Sequence, residues 1–350
     1  VAVYFSVDTL EGKPVADLTS DKFTIYEDGS KVSPDESKQT VLDSKLGSSR
    51  YTLLLIGVNG GASAAKQVGE VVKAATAFSE RMKTSQNVAI YAFDGGPDLY
   101  PIVPFAASDS GATGGLTRLA SFKPKGSSTN LTGAVVLGMK LLSEALAADP
   151  KAIKLGTLVV FAGGSDHTNR VSQADVRAAL RSQENAKLDV FTVGVGADVN
   201  VGRLREIGRT GSVVEPDSSN LSSAFDAAAT KMEARAGRYY LLSYCSPARG
   251  GSHSVRVEAH TPTGLTGELT YRFSAEGFEA GCDPETPPSF LAEHPAAPPP
   301  QADKKKDAPK KPAPAPKKRP APTPPSDSPP PTARPAAPPP PPPGDEPFAP

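Results

Sequence analysis

The chain has 350 residues, 38 basic against 38 acidic side chains, four histidines, two cysteines and no tryptophan. A formal net charge of zero is not the footprint of a dedicated nucleic-acid binder, which carries a basic excess. No uninterrupted apolar run approaches the ~18 residues a membrane span needs, so no transmembrane segment is expected. Of the 37 prolines, 27 lie after Cys282. The stretch 284–350 is too poor in apolar residues to offset chain entropy, and it is expected to be a disordered Pro/Ala/Lys-rich tail.

Residues 1–48 read as β. Val1, Val3, Phe5 and Val7 alternate with Ala2, Tyr4 and Ser6, and a Glu11-Gly12-Lys13-Pro14 turn precedes Phe23-Thr24-Ile25-Tyr26. So few strands need partners from elsewhere in the chain. From Tyr51 strand and helix alternate. Tyr51–Val58 is a continuous apolar strand, and Ala64–Lys83 a helix with Val68, Val71, Val72, Ala75 and Phe78 on one face. Val88–Phe93 and Leu99–Phe105 form a hairpin across Gly95-Gly96-Pro97-Asp98. Helices Leu116–Phe122 and Leu131–Leu146 follow, then strand Leu155–Ala162, helix Gln173–Gln183 and strand Leu188–Val195. Helix Val201–Gly208, strand Ser212–Glu215 and helix Leu221–Arg235 complete the series. Apolar strands between amphipathic helices predict a doubly wound, mostly parallel α/β sheet covered on both faces, spanning 49–236.

After Gly237 the chain returns to β. Arg238–Tyr244, His253–His260 and Leu269–Ser274 are expected to form an antiparallel meander over 237–283 and to pair with residues 1–48. The α/β domain would then be inserted into a discontinuous β domain. In that meander Cys245 and Cys282 reach the same edge, so a disulfide between them is expected; the other reading is two free thiols in a reducing compartment. The first residue, Val1, suggests a chain trimmed of a targeting segment, and with the disulfide it points to a secreted, periplasmic or outer-surface location.

Ligands of open α/β sheets bind beyond the carboxyl ends of the strands, where strand order reverses. Three loops should lie there: Gly57-Val58-Asn59-Gly60-Gly61-Ala62-Ser63, Gly126-Ser127-Ser128-Thr129-Asn130 and Gly163-Gly164-Ser165-Asp166-His167. The loops and the order of elements resemble a von Willebrand factor A (VWA) domain. The leading segment Gly12-Lys13-Pro14-Val15…Leu18-Thr19…Asp21-Lys22-Phe23-Thr24-Ile25-Tyr26-Glu27-Asp28-Gly29 resembles one that precedes such domains in bacterial secreted proteins.

The resemblance implies a divalent cation held by D-x-S-x-S on the first loop, a Thr on the second and an Asp on the third. Here those positions hold Gly57, Asn59, Gly61, Thr129 and Gly163. Hard cations take oxygen ligands that in most sites include a carboxylate, and none remains, so no metal and no other cofactor is expected. The rim is left with Asn59, Ser63, Ser128, Thr129 and Asp166 as hydrogen-bonding contacts, and Gly60 and Gly61 permit close backbone approach. The bland alternative is that these loops are only turns of a scaffold.

Enzymatic motifs fail on inspection. Ser63-Ala64-Ala65-Lys66 and Ser128-Thr129-Asn130 match S-x-x-K and S-x-N, but no K-T-G follows. No Walker A loop or G-x-S-x-G occurs. His253 and His260, seven apart on one strand, face opposite ways and make no metal pair. Asp94 reads as a turn residue, and Tyr239, Tyr240 and Tyr244 as packing in the β domain.

The expected function is therefore non-enzymatic binding or adhesion to a protein or envelope polymer through a metal-free VWA-like rim. The alternative is a structural envelope scaffold tethered by its tail. Residues 304–319 hold eight Lys/Arg against one Asp, a candidate contact for an anionic surface.

Overall fold

The structure is a computed structural model. It describes residues 1–59, 62–105, 109–125, 128–163, 168 and 170–290, with the backbone alone at 62–67, 109–113 and 218. The expected tail, apart from residues 284–290, lies outside the described residues.

Four strands lead: β1 (Ala2–Ser6), β2 (Phe23–Glu27), β3 (Ser30–Lys31) and β4 (Thr40–Leu42). After the single turn α1 (Ser44–Gly47) come β5 (Ser49–Gly57), α2 (Ala62–Lys83), β6 (Asn87–Phe93), β7 (Leu99–Val103), α3 (Asp109–Ala120) and α4 (Leu131–Ala148). They are followed by β8 (Lys154–Ala162), α5 (Gln173–Arg181), β9 (Asp189–Val195), α6 (Val201–Ile207), β10 (Gly211–Glu215) and α7 (Leu221–Ala236). The chain closes with β11 (Tyr239–Ser243), β12 (Ser252–His260) and β13 (Thr266–Ser274).

The central sheet has six strands in the order β10-β9-β8-β5-β6-β7. All neighbours are parallel except β6 and β7, the expected hairpin. The run that identified β5 is apolar throughout because both of its faces are covered. Leu54 and Ile56 join a core with Phe78 of α2 and Phe225 and Met232 of α7. Leu53 and Leu55 join another with Val135, Met139 and Leu142 of α4 and Val176 and Leu180 of α5. Strand order reverses between β5 and β8, so the loops after these two strands flank the crevice where ligands of such sheets bind.

Among the described residues one helix, Leu131–Ala148, is long and apolar enough by length and composition to cross a membrane. Its sequence lacked an unbroken apolar run because Thr132, Gly133, Gly138, Lys140, Ser143 and Glu144 interrupt it. Half of it is buried inside the protein. It packs on the sheet through Val135, Met139 and Leu142, as a core helix does.

The flanking β segments form two antiparallel sheets, β1-β11-β4 and β13-β12-β2-β3. They share a core of Val3, Phe23, Ile25, Tyr240, Leu242, Tyr244, Val255 and Val257. The expected meander is corrected here. β12 and β13 pair as a hairpin, but β11 leaves them and lies between β1 and β4 in the other sheet. Period-two alternation marks a strand without naming its neighbour, and Tyr240 and Leu242 satisfy their burial facing β2 and β12 across the sandwich. The Cys245–Cys282 disulfide is formed, with a Cα–Cα distance of 5.8 Å. It ties the end of β11 to the segment after β13, so it staples the two sheets together. Packing continues past it, with the ring of Phe290 edge-on to Tyr4 at 6.3 Å.

Candidate functional site

The rim is assembled from the ends of β5, β6 and β8 and the start of α4. β5 ends at Gly57, Val58 donates its N–H to the Phe93 carbonyl at 2.9 Å, and Asn59 follows, partly buried. Ser128 and Thr129 precede the Asn130 cap of α4, whose Oδ1 accepts the Gly133 N–H at 3.2 Å. Gly163 follows β8. Of the expected site residues, the structure brings Asn59, Ser128 and Thr129 to this rim. Gly60, Gly61 and Asp166 lie outside the described residues, as does the side chain of Ser63.

The residue that organises this rim is Asp94, which from sequence reads as a turn residue. Asp94 is fully buried. Its Oδ1 accepts the Gly96 N–H at 2.7 Å and its Oδ2 the Lys125 N–H at 2.8 Å. Its backbone carbonyl accepts the Asn130 N–H at 2.7 Å, and Asn130 Nδ2 returns to the Gly96 carbonyl at 3.0 Å. Arg170 Nε donates to the Gly95 carbonyl at 2.9 Å, and the Thr168 hydroxyl reaches the Thr129 carbonyl at 3.4 Å. One buried carboxylate and one buried amide thus tie two of the loops together, and Arg170 and Thr168 join the third to them. A lone Asp at a strand end gives no sequence signal for this; Asn130 before a helix signalled the cap but not its second bond.

The cation implied by the resemblance does not fit these residues. At Gly57 the space for a side chain is taken: a Cβ built there would stand 2.9 Å from the Phe93 ring and 3.1 Å from the Phe161 carbonyl. Thr129 is 2% exposed and its Oγ1 has no hydrogen-bond partner, so one donor of the implied set is present and aimed inward. It stands without a carboxylate at the other described positions. Among the described residues no group of three or more His, Cys, Asp or Glu side chains could hold a metal. A neutral hydroxyl and an amide do not replace the anionic oxygens that Mg²⁺ or Ca²⁺ takes.

The cavity between Gly57, Asn59, Val71, Leu119, Phe161 and Gly163 holds about 30 Å³, room for one water. A larger cavity of about 630 Å³ lies elsewhere, in the β sandwich beside the disulfide, lined among others by Glu27, Asp28, Lys31, Glu36, Arg249 and His253. There the Glu27 carboxylate is buried and accepts from the Tyr244 and Ser246 hydroxyls at 2.8 Å each. Burial, then the hydrogen bond to Glu27 and its charge, pushes the Tyr244 phenol far above its ordinary range. The Asp28 hydrogen bond at 2.6 Å holds His253 above the usual imidazole value. Glu27 and Asp28 stood in the motif that carried the resemblance; nothing in their spacing announced a cavity.

No protein-family profile matches the chain, and no curated protein matches it. Solved structures do. One is a von Willebrand factor type A protein from Catenulispora acidiphila, 15% identical, TM-score 0.42, covering 64% of this chain and 66% of that one. Another is the vWF domain of the type V pili tip protein Mfa5 from Porphyromonas gingivalis, 9% identical, TM-score 0.40, covering 53% and 95%. A third is manganese-loaded Plasmodium vivax TRAP protein, 10% identical, TM-score 0.43, covering 73% and 98%. The chain is similar to von Willebrand factor A domains. It spans just under two thirds of the Catenulispora chain and about half of the mussel byssus proximal thread matrix protein, which it also matches.

Proposed function

We propose that this chain is a non-enzymatic binding or adhesion module. It engages a protein or an envelope polymer across the VWA-like rim, through Asn59 and Ser128 with Gly60, Gly61, Ser63 and Asp166, above the buried Thr129, and it does so without a metal. The observation that carries this reading is that Asp94 and Asn130 tie the described rim segments together, while the cavity between the described residues at the end of β5 and β8 holds about 30 Å³. Small-molecule and catalytic sites enclose roughly 300–1,000 Å³. A preorganised surface of backbone, hydroxyl and amide groups suits a macromolecular face instead. In this reading residues 1–48 and 237–283 form the β platform, 49–236 the binding domain and 284–350 a spacer. The disulfide accords with an oxidising, extracellular or periplasmic setting.

The test is a pull-down with the full chain as bait from surface fractions, run with and without chelator. Binding lost in Ser128→Ala and Asn59→Ala but kept in chelator supports the reading. Binding that chelator abolishes, or that both variants retain, overturns it.

A further inference from the structure

The sheet β13-β12-β2-β3 ends on one side in a strand of two residues and on the other in β13, which runs nine residues, Thr266–Ser274. Among the described residues no strand pairs with its outer edge. The other sheet edges are short: β4 has three residues, and β1, β7 and β10 five each, with Pro101 inside β7. β13 pairs with β12 over all nine positions without a register shift, so no bulge turns the edge away. A long, regular edge of this kind is a template for another strand.

The order of side chains says which strand. Consider β13 paired antiparallel with β13 of a second copy about a two-fold axis at Thr270. Glu268 then faces the partner's Arg272 and Arg272 the partner's Glu268. Leu269 faces Tyr271, Gly267 faces Phe273, Thr266 faces Ser274, and Thr270 faces itself. All nine residues are used, and both charged pairs are opposite in sign. Moving the axis by one residue sets Arg272 against Thr266 or Thr270 and loses both pairs. Arg272 is exposed and enters no ion pair among the described residues, while Glu268 is reached by Arg256 at 3.0 Å. On the other face Leu269 and Phe273 already pack at the margin of the sandwich core, and Tyr271 is 52% exposed. The same pairing lays each Tyr271 over the partner's Leu269 and continues that core across the axis.

We infer that the chain forms a two-fold dimer in which the two β13 strands pair antiparallel about Thr270 and join the two four-stranded sheets edge to edge. The new ladder adds about 8–10 backbone hydrogen bonds.

Sedimentation of the full chain over a wide concentration range tests it, with charge-reversed variants as the decisive arm. The wild type is expected to dimerise reversibly. Arg272→Glu and Glu268→Arg should each weaken self-association about tenfold or more, since each sets like charges opposite one another twice. An equimolar mixture of the two should recover a heterodimer, because every facing pair is again opposite in sign. Thr270→Cys should cross-link to itself under oxidation, directly opposed Cα atoms in such a ladder lying within disulfide reach, whereas Thr266→Cys should not. A wild type that stays monomeric throughout overturns the inference. So does a dimer that both charge variants leave intact, or one that their mixture fails to restore.

Discussion

The ring of Phe93 stands 2.9 Å from the point where a Cβ on Gly57 would lie. At the position where the VWA resemblance implies a metal-binding aspartate, this protein has closed the space with an aromatic side chain of the neighbouring strand. An aspartate at position 57 is thus opposed by the packing of β5 against β6.

Two substitutions test this packing. Gly57→Asp forces the Phe93 ring or the β8 backbone to move and is expected to cost about 1–3 kcal/mol, the usual range for overpacking a filled core. Among the described residues, an added Cβ at Gly163 meets only the Phe161 ring, at 3.5 Å, an ordinary contact. Gly163→Asp should therefore stay within about 1 kcal/mol of wild type. Urea titrations of both variants check the ordering; equal costs would contradict it.

Asp94 supplies the next prediction. Asp94→Ala strands the Gly96 and Lys125 N–H groups in a buried site and removes a charged acceptor. It should cost about 2–3 kcal/mol and loosen the 94–98, 123–130 and 168–170 loops together. Hydrogen exchange is the readout: the Asn130 and Gly133 amides should lose protection while β12 and β13 keep theirs. A local effect confined to Gly96 would contradict the role assigned to this carboxylate.

The Asp28–His253 pair makes stability depend on pH. His253 is raised by its bond to Asp28, so its contribution is complete below the unfolded value of about 6.5 and is lost as pH rises through the higher folded value. Asp28 is lowered, first by the Ser254 N–H and then by His253, so its contribution is present above about 3.9 and is lost as pH falls. The pair supports the sandwich most between those limits. In Asp28→Asn the His253 titration followed by NMR should move down toward the ordinary imidazole value; an unchanged midpoint would count against the contact.

The α/β order was legible because burial on both faces writes itself as unbroken apolar runs, as in Leu53–Ile56 and Leu158–Phe161. The disulfide was legible too, although β11 reaches it from a different sheet than the meander implied. Less of the rim could be read. The three loops were locatable from strand ends, but Asp94 looks like any turn aspartate until its two N–H donors are in place. α3 begins at Asp109, seven residues before the apolar pattern shows it, since Gly111, Gly114 and Gly115 obscure the helical period. β13 begins at Thr266, ahead of Leu269, because its early residues pair with β12 while facing solvent.

Removing the disulfide tests its part in the sandwich. Its ends are 37 residues apart, and closing a loop of that length is worth about 3–4 kcal/mol against the unfolded chain. Cys245→Ser combined with Cys282→Ser should lower stability by that order. Protection should fall in β11–β13 before it falls in β5 and β8. Uniform loss across both sheets would contradict a local staple.

The claim that the rim works without a metal is tested most directly by calorimetric titration of Mg²⁺, Ca²⁺ and Mn²⁺ into the full chain. No saturable heat is expected for any of the three at millimolar metal, for the wild type or for Thr129→Val. Saturable binding in the wild type that Thr129→Val abolishes would show a cation seated at this rim and would contradict the account.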